Sequence, residues 1–183
     1  MMTFRRWLLV AGSILCISIV IGATIPFGIS LSDTAPLGDI ISEIDQLSGP
    51  VIFVIILLNN VIALVFSFCL SPLFCIVPMI ALVLNGMVIG IVASAVLEQE
   101  SMVFLMAGLL PHGIFEFPAL IIAFASALNF GSIVSLSIFK RELRSSILPS
   151  LLTNLKRLAV AIGLLIPAAF IESFITPWLL DAF

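Results

Sequence analysis

Residues 109–118 (LLPHGIFEFP) hold the side chains best suited to chemistry. The stretch contains His112, the single histidine of the chain, and Glu116, in surroundings that are otherwise apolar. Four residues apart, they share one face of a helix. An imidazole and a carboxylate so placed can take up or pass on a proton or a cation. They can equally form a structural pair that satisfies freed backbone groups. Pro111 suits the first turn of a helix, where its missing N–H is not needed. Pro118 leaves the carbonyl of Ile114 without its usual donor. Gly108 and Gly113 let neighbouring backbone come close. Broken backbone with ionisable side chains is tolerated in lipid only where it is buried in protein or lines a wet cavity. A re-entrant or broken helix around Pro111 and Pro118 is therefore expected, with His112, Gly113, Glu116 and Pro118 as its motif.

Four more polar residues fall inside apolar runs: Asn59, Asn60, Asn85 and Glu172. Glu172 is expected at a depth comparable to Glu116, so the two carboxylates can face one cavity. Asn59 and Asn60 lie about ten residues into their run, roughly 15 Å deep. Interhelical hydrogen bonding alone accounts for the three asparagines, and lining a path is the other use open to them. Signatures of catalysis are missing. There is no HExxH helix, P-loop or dinucleotide fingerprint, and one histidine cannot supply a multi-histidine metal site. Serine proteolysis would need a partner for His112, and nothing flanking Ser94 or Ser126 marks a nucleophile. The expectation is a protein that is not an enzyme and uses no metal and no cofactor. Cys16, Cys69 and Cys75 show no CxxC or zinc spacing and read as small buried hydrophobes.

The elements that must position these residues follow from composition. The 183 residues are 62% hydrophobic and 9% charged, with a mean hydropathy of +1.38. That describes an all-α membrane protein, a single polytopic domain over residues 1–183. Its charges segregate. Asp33, Asp39, Glu43 and Asp45 share one segment without a base, whereas Lys140, Arg141, Arg144, Lys156 and Arg157 share another with Glu142 against them. No basic groove with aromatic side chains is present, so nucleic acid is not an expected partner. The lipid bilayer is.

Residues 7–27 follow a short basic start and read as a first span, being long for the apolar core of a signal peptide. Arg5 and Arg6 place the N-terminus in the cytoplasm. Residues 30–49 form an acidic outer loop and residues 50–70 a second span, closed by an inner turn at Ser71 and Pro72. Residues 73–97 form a third span, with Gly86, Gly90 and Ser94 as a small-residue stripe that admits a neighbouring helix. Residues 101–139 contain no Lys or Arg. As one straight helix they would run nearly 60 Å, about twice a hydrocarbon core. Two full crossings would put the basic segment outside, against the charge rule. One net crossing is expected instead, dipping in over residues 102–110 and turning near Pro111. Ala119, Ala123, Ala127, Gly131 and Ser135 recur every four residues. This face, like Gly86 and Gly90, suits close packing within the monomer or a homodimer seam. Phe139, Leu143, Ile147, Leu151 and Leu155 form an apolar stripe read as an inner-surface amphipathic segment, bent at Pro149. Residues 158–180 form the last span, kinked at Pro167. The count is about five transmembrane helices plus the re-entrant segment.

The motif His112-Gly-x-x-Glu116, followed by Pro118 and an alanine-rich helix, resembles the stage II sporulation protein M family. The Asn85-Gly86-x-x-x-Gly90 pattern in the preceding span is similar to that family too. The resemblance covers about residues 50–175. It implies an integral protein of the cell membrane, which in spore-forming bacteria belongs to a complex with peptidoglycan-degrading proteins during engulfment. Two functions are therefore carried forward. One is a scaffold or component of an envelope-associated complex, with other membrane proteins as partners. The other is a small transporter or channel, using the broken helix and Glu116 to move an ion, a proton or a lipid. The topology has a direct test: cysteines placed at Asp39 and Arg144 should label from opposite sides of the membrane. Labelling of both from one side would refute an odd number of crossings between them.

Overall fold

The computed structural model describes residues 2–25 and 48–182; the acidic segment with Asp33, Asp39, Glu43 and Asp45 lies outside the described residues. Four long helices come first: α1 (Phe4–Thr24), α2 (Gly49–Cys69), α3 (Ile76–Gln99) and α4 (Met102–Phe139). A 3-10 segment (Arg141–Ser146) leads into α5 (Ile147–Phe170), a π-helical turn (Ile171–Ile175) and the short α6 (Thr176–Leu180). No strand occurs among the described residues. Five helical runs are long and apolar enough to cross a membrane, the fifth being the continuous run Arg141–Leu180. The chain is an all-α, multi-pass membrane protein.

Small residues set the packing. α1 lies along α3, and its buried positions Ala11, Leu15, Ser18 and Gly22 meet Leu82, Gly86 and Gly90. A β-carbon on Gly86 would come within 2.6 Å of the Ser18 side chain, and one on Gly90 within 2.7 Å of the Ala23 backbone nitrogen. The two backbones therefore approach where a side chain would hold them apart. α4 is the central element. Its lower half is buried almost all round, and Ala119, Ala123 and Ala127 are essentially inaccessible. It packs along α5, whose buried face is Asn154, Leu158, Ala161, Leu165 and Ala168. Phe68 of α2 stacks on Phe130 of α4 with ring centroids 5.4 Å apart. The turn between α2 and α3 docks on Gly131, where a β-carbon would meet the Ser71 carbonyl and lie 2.8 Å from the Cys75 sulfur. Phe74 and Cys75 hold positive φ angles of 52° and 60° there, a strained conformation for residues with side chains. Both small-residue faces are thus occupied by contacts within the chain.

Three expectations need correction. The re-entrant turn is absent: Met102–Phe139 is one helix of 38 residues with Pro111 and Pro118 inside it. Each proline removes one hydrogen bond, from the carbonyls of Ala107 and Ile114. A chain reversal would instead leave up to four C=O groups open at one new helix end and four N–H groups at the other, and in an apolar medium that is the costlier choice. Pro111 and Pro118 are seven residues apart, close to two turns, so any bend they introduce has the same sense. A single crossing is retained. Second, the apolar stripe from Phe139 to Leu155 does not form one amphipathic segment bent at Pro149: only the 3-10 segment Arg141–Ser146 precedes the last helix. α5 starts at Ile147, and Pro149 sits in its first turn, where a proline fits without bending the helix. The irregularity in this run falls at the π turn and not at Pro167, which α5 incorporates. Pro177 explains the place, because it cannot donate to the carbonyl of Ser173. Third, only Cys75 is a buried cysteine; Cys16 and Cys69 are exposed on the helix surface.

Gly90→Val should lower the thermal midpoint in detergent by the equivalent of about 1–3 kcal/mol, the usual range for overpacking. Gly163→Ala should be neutral or stabilising by up to about 1 kcal/mol, since nothing lies within 4 Å of its added methyl group. Equal effects at the two sites would show that the α1–α3 contact is not set by backbone proximity.

Candidate functional site

In an apolar helix that runs through its prolines, His112 and Glu116 keep the register the sequence gives them. His112 Nε2 lies 3.7 Å from Glu116 Oε2, and the two side chains are 12% and 20% exposed. That gap is an ion-pair distance and too long for a hydrogen bond. Gly113 between them is buried, and a β-carbon there would stand 3.1 Å from the Phe117 ring. Pro118 is exposed on the helix surface.

The π turn brings the third member. It adds about one residue to a turn that would otherwise be α-helical, which resets the direction of the side chains it carries. Glu172 is one of them. Ligand atoms of His112, Glu116 and Glu172 all lie within 4.8 Å of one another. A cavity of about 290 Å³ adjoins them, lined by His112, Glu172 and apolar residues of α3 and α4 that include Val92, Phe104 and Leu105. Gly108, one turn before His112, leaves room for Leu180 of α6 at 3.8 Å from where its β-carbon would be. The cavity thus sits where the C-terminal end of α3, the start of α4 and α6 meet.

Charge makes the cluster unusual. There is no Lys or Arg from Trp7 to Phe139 and none after Arg157. The described basic residues gather at the other end of the bundle, on the start of α1, the 3-10 segment and the first turns of α5. Two ionised carboxylates within 4.8 Å of each other would repel by about 3 kcal/mol or more at an effective dielectric of 20. His112 can offset part of that for Glu116, and no Lys or Arg is there to offset the rest.

The asparagines stand apart. Asn85 Nδ2 donates to the carbonyl of Ala81 in its own helix at 2.8 Å. Asn59 is exposed and Asn60 half-buried, and neither lines the cavity. Ser94 and Ser126 donate to the carbonyls of Ile91 and Ile122 at 2.9 and 2.7 Å, so neither hydroxyl is presented to His112.

A second polar group was not anticipated from the sequence. Asn154 is 1% exposed and donates to the Ser150 carbonyl at 2.9 Å and to Asn129 Oδ1 at 3.4 Å. Arg157 donates to Asn154 Oδ1 at 2.9 Å, and its guanidinium lies 3.6 Å from the centroid of the Phe4 ring. This network ties α1, α4 and α5 at the basic end. Its signal was available: Asn154, Leu158, Ala161 and Leu165 follow helical spacing on one face, so that asparagine had to be buried.

The comparisons agree with the motif. The family model described as Stage II sporulation protein M matches residues 8–177. An uncharacterized protein of Methanocaldococcus jannaschii is 30% identical over 123 residues, which cover 67% of this chain and 69% of that protein. No solved structure matches.

A double-mutant cycle on thermal stability should show coupling between His112→Ala and Glu116→Ala of about 0.5–3 kcal/mol, the range for residues in contact. Strict additivity would show that the imidazole and carboxylate do not interact.

Proposed function

The chain belongs to the stage II sporulation protein M family, and from that premise we propose that it serves as a non-enzymatic scaffold or component of an envelope-associated complex in the cell membrane. The observation that carries this reading is Asn59. It lies near the middle of α2, a 21-residue apolar helix, and it is exposed. The residues around it on that surface, Ile55, Leu58 and Ile62, are about half exposed or more. An amide at this depth finds no hydrogen-bond partner in lipid tails, and a neighbouring transmembrane helix can supply one. Both faces built from small residues are already used inside the chain, and among the exposed apolar helix surfaces α2 is one that carries an exposed amide at mid-helix. Support of a different kind comes from the polar residues, which do not line one continuous path: the asparagines are separate from the cavity at His112.

A photo-crosslinker at Asn59 in native membranes should yield a specific adduct, and Asn59→Leu should abolish co-purification of the partner without lowering thermal stability. Absence of any adduct, with the protein extracted as a lone monomer, would overturn the proposal.

The cluster of His112, Glu116 and Glu172 beside a cavity favours the second reading, a small transporter or channel. Reconstituted vesicles should then show ion, proton or lipid movement that falls in Glu116→Gln, and no flux across a broad panel would remove that reading.

A further inference from the structure

We propose that His112, Glu116 and Glu172 bind one divalent transition-metal ion, which clamps the π turn of the last span to α4. Two carboxylates are held together in an apolar setting, in a half of the protein without Lys or Arg. A divalent cation balances both and leaves the site neutral. Buried carboxylates are ordinarily paired or coordinate metals, and the one basic group at hand, His112, can pair with only one of them.

Geometry supports the same conclusion. A four-coordinate ion with ligands at about 2.0–2.2 Å sets neighbouring ligand atoms about 3.4 Å apart. The 3.7 Å gap between His112 Nε2 and Glu116 Oε2 is close to that value and too long for a hydrogen bond. Glu172 completes the set within 4.8 Å, so a rotamer adjustment of about an ångström closes the triangle. The imidazole carries a further mark. Its Nδ1 is buried and turned toward the Gly108 carbonyl one turn earlier in α4, the kind of acceptor that orients a metal-bound imidazole. Two of the ligands are one helical turn apart on α4, an arrangement that presents both to one ion. The third comes from a different element, placed there by the π turn.

One nitrogen and two carboxylates suit Zn²⁺ or Mn²⁺ better than Mg²⁺ or Ca²⁺, which prefer oxygen ligands throughout. Three protein ligands leave room for water or another ligand from the cavity side. The three free cysteines are not members of the cluster.

The test uses full-length protein in detergent, purified through a tag without histidine and stripped with a chelator. Zn²⁺ added alone should bind at one equivalent per chain and raise the thermal midpoint. His112→Gln and Glu172→Gln should each weaken binding by about tenfold or more, at least the loss seen when a supporting residue is removed. Glu98→Gln, outside the cluster, should bind as the parent does. Zinc-edge absorption of the unaltered protein gives a reading that does not depend on any variant folding. It should show one imidazole nitrogen with oxygen ligands and no sulfur. Absence of stoichiometric binding would overturn the proposal and leave protons to neutralise the carboxylates. So would sulfur in the zinc shell, or binding unchanged in both folded variants.

Discussion

The structure depends on one constraint: inside an apolar medium every backbone amide and every charge must find its partner within the protein. α4 shows its strength. Two internal prolines free two carbonyls, and the helix continues through both. A turn at that depth would free several more groups. The length that follows, about 57 Å at 1.5 Å per residue, is more than a hydrocarbon core needs, so the helix must tilt, bend or extend beyond it. Continuity of α4 in turn fixes His112 and Glu116 on one face.

The same constraint explains the π turn. Pro177 cannot complete an α-helical ladder back to Ser173, and the irregular turn Ile171–Ile175 takes up the mismatch. What this achieves chemically is the placing of Glu172. An irregular segment in the last span and a regular one in α4 meet at a cluster of ionisable groups, and such turns recur at functional positions. At the opposite end the problem is solved differently. Arg157, Asn154, Asn129 and Ser150 share hydrogen bonds, and Phe4 covers the guanidinium. There the positive charge has neutral partners and an aromatic face.

Much of this was legible in the sequence. Hydropathy and the basic segment gave the number of apolar helices. The glycine spacing at Gly86 and Gly90 marked a close helix contact, and the packing of α1 on α3 realises it. The approach of Glu172 to Glu116 followed from their matching depths. What was not legible has a common cause. Proline marks a missing hydrogen bond without saying how the backbone responds. Pro111 and Pro118 were read as a chain reversal, whereas the helix absorbs them. Pro177, which accompanies the π turn, carries no local mark in the sequence that sets it apart. Local rules price each proline alone, while the outcome depends on the alternative that lipid permits. Asn59 was equally opaque. Its depth could be counted from the sequence, but which way α2 faces depends on long-range packing against α4 and α5.

The two ends of the bundle therefore answer to different demands. At the basic end, small residues, stacked aromatics and a satisfied polar network hold α1, α2, α4 and α5 together, with the strained turn at Phe74 and Cys75 pressed on Gly131. Strain of that kind persists only where surrounding contacts over-determine it, so this end is the rigid one. At the cluster end, Leu180 covers Gly108, a cavity separates α3 from α6, and two carboxylates share one imidazole with no Lys or Arg beside them. Apolar contact is sparser there, and like charge opposes closure. The repulsion between α4 and the π turn therefore depends on what neutralises Glu116 and Glu172. Neutralisation removes a repulsion between two elements that are otherwise lightly joined.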